Sequence, residues 1–222
     1  MTHRTRIKIC GLTREQDVQA AVTAGADAIG FVFYPNSPRY LAPQQAARLM
    51  AAVPPFVTTV GLFVNASPEQ VSEVVAQLPL SLLQFHGDEN VEQCAAIANQ
   101  VNRPFIRAMR IGAATVAADL LECELAYRSG SRLFAGLLLD TLVENYGGSG
   151  KVFDWSLIPK ELAPQVVLSG GLSTHNVTDA VQRVRPFAVD ISSGVEQDKG
   201  IKDAVKIRAF IDAVRQADAS FS

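Results

Sequence analysis

The sequence predicts an α/β fold closed into a (β/α)8 barrel of parallel strands. Three observations carry that prediction. Apolar runs of strand length alternate with helical patterns eight times within 222 residues, which is the signature of a parallel sheet. The alternative, an open doubly wound sheet, usually carries a glycine fingerprint after its first strand, and Cys10-Gly11-Leu12-Thr13 is not one. Polar residues also recur at the carboxyl ends of the strands, the face on which barrels place their chemistry. With no linker, low-complexity tract or heptad repeat in sight, residues 1–222 read as one domain.

The first strand runs from Arg6 to Cys10. Lys8 and Cys10 stand two apart and so share one side of it. A helix follows from Arg14 to Ala24, with Thr13 as the expected N-cap and Gly25 as the stop. Ala28 to Phe33 is apolar throughout, as a strand buried on both faces should be. The segment 34–40 carries two prolines and reads as an irregular loop. Pro43 opens a helix to about Val53 at the position where proline costs nothing. Thr58 to Val64 is a third strand, and Ser67-Pro68 caps a helix to Gln77. Ser81 to His86 is a fourth strand, and Asp88 to Asn102 contains a helix.

Phe105 to Arg110 is a fifth strand, and Ala113 to Leu121 is helical. Glu122 to Arg132 shows no clear period and reads as a surface extension. Leu133 to Leu139 is a strongly apolar sixth strand ending at Asp140. A glycine-rich loop from Leu142 to Phe153 comes next, then a short helical segment from Trp155 to Leu162. Gln165 to Ser169 and Phe187 to Ile191 are strands seven and eight, with a helix from Thr174 to Val184 between them. The last helix, Asp203 to Arg215, carries Val205, Ile207, Phe210, Ile211 and Val214 on one side.

Composition narrows the function. The 22 acidic and 20 basic residues give a net charge of −2, which offers no broad footprint for nucleic acid. No apolar run reaches the length of a membrane span. Met1 to Thr5 is short and polar before a strand, which leaves no room for a signal or transit peptide. Cys10, Cys94 and Cys123 are scattered and odd in number, as expected of a protein kept in a reducing cytoplasm. His3, His86 and His175 lie far apart, so no metal pattern is present.

A barrel would gather Cys10, Arg39, His86, Asp140, Gly170-Gly171 and Ser192-Ser193-Gly194 on one face. The two glycine turns after strands seven and eight occupy the usual phosphate-binding location of barrels; plain turn glycines are the other reading. Gly147-Gly148-Ser149-Gly150-Lys151 fails the phosphate-loop and dinucleotide patterns and reads better as a loop closing over the site. Asp140, at the end of an apolar strand, has the setting of a general acid. Cys10 would be the base if Lys8 tuned it toward thiolate; a small buried hydrophobe is the competing reading. His86 is a second candidate for the base, or a hydrogen-bond donor. Arg39 is an exposed cation suited to an anionic group.

Seven segments taken together resemble one family. They are Lys8 to Thr13, Gly30 to Tyr34 with Ser37 to Tyr40, Gln84 to Gly87, Leu139 to Thr141, Gly147 to Lys151 with Phe153 to Trp155, Ser169 to Leu172, and Asp190 to Glu196. In this order they resemble the phosphoribosylanthranilate isomerases of tryptophan biosynthesis, from Lys8 to about Phe210. The chain departs from that pattern in Glu122 to Arg132, which is longer than expected. The resemblance implies an Amadori rearrangement of a phosphosugar without metal or cofactor. It makes Asp140 the acid that opens the ring and Cys10 the base that takes the C2′ proton. Arg39 would meet the anthranilate carboxylate, and Gly170, Gly171, Ser192, Ser193 and Gly194 the phosphate. Asp190 and His86 would line the pocket. It leaves a monomer or a homodimer open.

Three other functions fit a phosphate-binding barrel. A metal-dependent epimerase would show histidines and carboxylates at several strand ends, and only His86 is so placed. A retro-aldol lyase would show paired acids. A non-catalytic binder would bind its ligand without turnover, independently of Cys10.

Overall fold

A computed structural model describes residues 4–142 and 152–221. Eight parallel strands close into a barrel: β1 (Arg6–Cys10), β2 (Ala28–Val32), β3 (Thr58–Phe63), β4 (Leu82–Phe85), β5 (Phe105–Ile111), β6 (Phe134–Thr141), β7 (Val167–Leu168) and β8 (Ala188–Ile191). Pairing of β1 with β8 completes the circle and sets Lys8 beside Asp190. Side chains alternate across each strand. Ile7 and Ile9 therefore join the large core between sheet and helices, and Lys8 and Cys10 face the interior. Ile106, Ala108, Leu138, Val167 and Ala188 form a separate apolar cluster. Ladder neighbours such as Ala108 and Leu138, or Val167 and Ala188, show that it fills the inside of the barrel.

The outer layer contains α1 (Glu15–Ala24), α2 (Pro43–Met50), α3 (Pro68–Gln77), α4 (Val91–Val101), α5 (Ala117–Gly130), α6 (Val177–Val184) and α7 (Ala204–Ala219). Local chemistry explains several ends. Gly25 stops α1 with φ at 95°, a conformation that suits glycine. Ser67 and Gln70 cap each other's backbone at the start of α3, as Asn90 and Gln93 do at α4. Asp203 accepts from the N–H groups of Val205 and Lys206 at α7.

The structure corrects five expectations. Thr13 is not the cap of α1; Arg14 holds that position, and the Thr13 hydroxyl donates to the Gly200 carbonyl instead. The extension expected at 122–132 is mostly helix, since α5 continues to Gly130. Only Leu120 and Tyr127, two turns apart, are buried on it, so its apolar stripe is too narrow to read. Trp155–Leu157 and Ala163–Gln165 are single 3-10 turns, so the alternation loses an α-helix between β6 and β7 among the described residues. Val205 is exposed rather than part of the buried face of α7. A hairpin, β9 (Glu196–Asp198) and β10 (Ile201–Lys202), stands between β8 and α7, where no strand is expected. The Gly147 to Lys151 loop lies outside the described residues.

Candidate active site

The carboxyl ends of the strands surround a cleft of about 120 Å³, open to solvent. All ten residues singled out in the sequence line it: Cys10, Arg39, His86, Asp140, Gly170, Gly171, Asp190, Ser192, Ser193 and Gly194. Val32, Leu62 and Val64 add an apolar side. Among the described residues no cluster of His, Cys, Asp or Glu side chains is arranged to hold a metal, and no helix is long and apolar enough to cross a membrane.

The β1–β8 side is a buried charge network. Lys8 Nζ donates to Asp190 Oδ1 at 2.7 Å, with both side chains almost fully buried. Burial opposes the Lys8 charge, but Asp190 and Cys10 together outweigh it and the ammonium is pushed up to about 12. Cys10 differs from its expectation. Burial pushes its thiol up, and Lys8 only partly offsets this because Asp190 shares its field. Burial thus favours the neutral thiol of Cys10 over the thiolate. Gly30, the register neighbour of Cys10, makes the space: a Cβ there would lie 2.8 Å from Cys10 Sγ and 3.1 Å from Lys8 Nζ.

Arg39 is not the exposed cation that the sequence suggests. Its Nε and Nη2 donate to the two carboxylate oxygens of Glu196 at 2.7 and 2.8 Å, and 11% of its side chain is exposed. Lys202 completes the group, with Nζ donating to Glu196 Oε1 at 2.8 Å and to the carbonyl and hydroxyl of Ser192 at 3.1 and 3.2 Å. These three acceptors are the partners an ammonium requires. Burial lowers Lys202 from its ordinary value against the pull of Glu196. Burial also opposes ionisation of Glu196, but Arg39 and Lys202 hold its carboxyl below the usual range.

The β4–β6 side holds a lighter pair. His86 Nε2 lies 3.0 Å from Asp140 Oδ2, and Thr141 N donates to Asp140 Oδ1 at 2.9 Å. Gln84 Nε2 lies 2.9 Å from His86 Nδ1. An amide donor there leaves the imidazole proton on Nε2, facing Asp140. The loop is braced from behind: Arg107 donates to the carbonyls of Phe85 and Gly87 on either side of His86, and Glu89 accepts from the N–H groups of Asn65 and Gly87.

Gly170 and Gly171 have φ of 80° and 67°. A Cβ on Gly170 would lie 2.8 Å from Asp140 Oδ1, so this glycine also makes room for the carboxyl. A Cβ on Gly194 would lie 2.2 Å from the Leu172 carbonyl, so the two turns touch. Gln84 Oε1 and Thr141 Oγ1 are buried acceptors without a protein partner among the described residues, and both residues line the cleft.

A family model described as N-(5'phosphoribosyl)anthranilate (PRA) isomerase matches residues 7–213. The chain belongs to that family. An N-(5'-phosphoribosyl)anthranilate isomerase of Herminiimonas arsenicoxydans is 71% identical over 220 residues, covering 99% of this chain and 97% of the relative. One from Dechloromonas aromatica is 58% identical over 98% of this chain and 99% of its own length. The crystal structure of phosphoribosyl anthranilate isomerase from Thermotoga maritima matches with a TM-score of 0.84 and 45% identity, covering 96% of this chain and 99% of that one. A further isomerase, crystallised with reduced 1-(o-carboxyphenylamino)-1-deoxyribulose 5-phosphate, matches with a TM-score of 0.80 and 42% identity over 96% and 99% of the two chains.

For a member of this isomerase family, three residues of the site escaped sequence reasoning. Gln84 had a usable signal, because its spacing of two from His86 puts both on one side of β4. Glu196 ends a quoted motif yet received no role. Lys202 gave no signal, since the hairpin that carries it has strands of three and two residues.

Proposed function

We propose that this chain converts N-(5′-phosphoribosyl)anthranilate to 1-(o-carboxyphenylamino)-1-deoxyribulose 5-phosphate, with Asp140 as general acid and Cys10 as general base. The observation that carries the reading is the cleft itself. An acid and a thiol stand at separate strand ends, and the paired glycine turns close the floor beside them. In the first step Asp140 gives a proton to the furanose ring oxygen, the C1′–O bond breaks, and a protonated Schiff base forms. His86 Nε2 lies within hydrogen-bond distance of Asp140 Oδ2 and holds the acid in place. In the second step Cys10 takes the C2′ proton, leaving an enolamine that tautomerises to the ketone.

The raised thiol of Cys10 bears on that second step. The iminium cation adds positive charge beside the sulfur and favours thiolate when it is needed. Lys8 contributes in the same direction. Each proton-transfer group supplies on the order of 10²–10⁴ in rate. The N–H groups of the Gly170-Gly171 and Ser193-Gly194 turns hold the phosphate, with Ser192 and Ser193 as further donors. Arg39 meets the anthranilate carboxylate, and Val32, Leu62 and Val64 face its ring. Asp190 keeps Lys8 in place. In this reading no cofactor takes part, and neither nucleic acid nor membrane is a partner. The protein acts in the cytoplasm as a monomer or homodimer of one barrel domain, 1–222.

The test is loss of anthranilate fluorescence after purified protein is added to freshly generated phosphoribosylanthranilate. Decay above the spontaneous background supports the reading. A folded protein that leaves the background unchanged overturns it.

A further inference from the structure

We propose that Glu196 and Lys202 are positioning residues, which aim the Arg39 guanidinium at the carboxylate of the substrate's aromatic ring. The inference rests on the reading of Arg39 given above and assigns the part of the molecule that makes it selective.

Glu196 takes one edge of the guanidinium, the Nε and one hydrogen of Nη2, with both oxygens. Such side-on, two-bond pairing fixes the plane as well as the place of the group. It leaves the other edge, Nη1 and the second Nη2 hydrogen, as a ready fork for a carboxylate. Lys202 donates to the same Glu196 oxygen that accepts from Arg39 Nε, and spends its remaining donors on Ser192. One buried ammonium thus ties the aim of Arg39 to the turn assigned to phosphate. Two cations against one anion leave the cluster at +1, which a bound carboxylate neutralises.

The backbone is built to hold this cluster. Gly11 has φ of 74°, and a Cβ there would lie 2.4 Å from Arg39 Cδ and 3.2 Å from Ser192 Oγ. Only a glycine lets the arginine stem cross the end of β1. The β9–β10 hairpin that carries Glu196 and Lys202 is clamped to the loop and helix after β1. Thr13 donates to the Gly200 carbonyl, Lys202 N donates to Asp17, and Arg14 donates to the Lys202 carbonyl. The hairpin adds no strand to the barrel, and these clamps hold the backbone that carries the two side chains.

The decisive variant is Glu196→Gln, because charge and orientation predict opposite signs. It removes the anion, so with Lys202 still charged the cluster rises from +1 to +2. If the field alone attracted the carboxylate, binding would tighten. If Glu196 aims the fork, binding weakens. We expect KM for phosphoribosylanthranilate and the inhibition constant of free anthranilate each to rise about tenfold. The inhibition constant of inorganic phosphate stays within about twofold, and kcat falls far less than KM rises. Unchanged or tighter anthranilate inhibition overturns the proposal.

Arg39→Gln separates this from the reading beneath it. If that variant leaves anthranilate inhibition unchanged, the carboxylate role of Arg39 falls and the proposal with it. If it weakens anthranilate while Glu196→Gln does not, the positioning role alone falls. Should Glu196→Gln fail to fold, Arg39→Lys keeps the charge and loses the fork. Anthranilate inhibition weakened as much as in Arg39→Gln supports aim, and wild-type inhibition overturns it.

Discussion

The two walls of the cleft hold their charges in opposite ways. On the β1–β8 wall, Lys8 and Asp190 have side chains only 5% and 6% exposed, and each charge has a direct partner. On the β4–β6 wall, His86 and Asp140 are 16% and 26% exposed and meet at 3.0 Å. A desolvated pair cannot change protonation without leaving a buried charge alone. In the proposed reaction the difference separates two settings: the buried charges hold the geometry around the base Cys10, and the more open wall carries the acid Asp140. Cys10 stands on the buried wall, and its high thiol follows from standing there.

Substitutions can break or sharpen this contrast. The largest effects fall on turnover. Asp140→Asn and Cys10→Ala should each lower kcat by on the order of 10²–10⁴ with KM little changed, read from fluorescence decay. Near-wild-type turnover in either variant removes that residue from its role. Lys8→Met should act on stability, because it leaves Asp190 buried and unpaired. A loss of about 3–5 kcal/mol in denaturant unfolding is expected. An equal loss from Asp140→Asn would erase the distinction between the walls.

The pH profile probes the same contrast with a smaller signal. A thiol raised by burial is less ionised at neutral pH than an ordinary cysteine. Turnover should therefore climb as pH rises through the alkaline range, until the thiolate forms. Removing Lys8 takes away a cation that lowers the thiol, so any folded Lys8→Met protein should show its climb at still higher pH. A wild-type profile flat from neutrality upward would contradict a buried thiol as base. The smallest effect lies outside both walls: Ser67→Ala removes the cap of α3 and should cost about 1 kcal/mol of stability with activity intact.

Much was legible because it is local. Strand-length apolar runs, the Ser67-Pro68 start and the Gly25 stop each follow from a few adjacent residues, and each reappears in the barrel. The polar residues at the strand ends were legible for the same reason. Parity along a strand sets which side chains face inward, and closure of the barrel brings the ends together. The continuation of α5 beyond Leu121 was missed because two buried residues in fourteen leave almost no period. The hairpin was missed because its strands are too short to alternate.

The sequence by itself determined the barrel and which residues could meet in the cleft, since both depend on period and order along the chain. It also carried the seven segments that resemble the isomerases. Tertiary structure alone decided what each charge does. Lys8 answers to Asp190, 182 residues away, and Arg39 to Glu196, 157 residues away. The protonation of Cys10 and the exposure of Arg39 depend on those partners and on the water they exclude. Desolvation and Coulomb attraction act through space, so no reading of neighbouring residues could supply them.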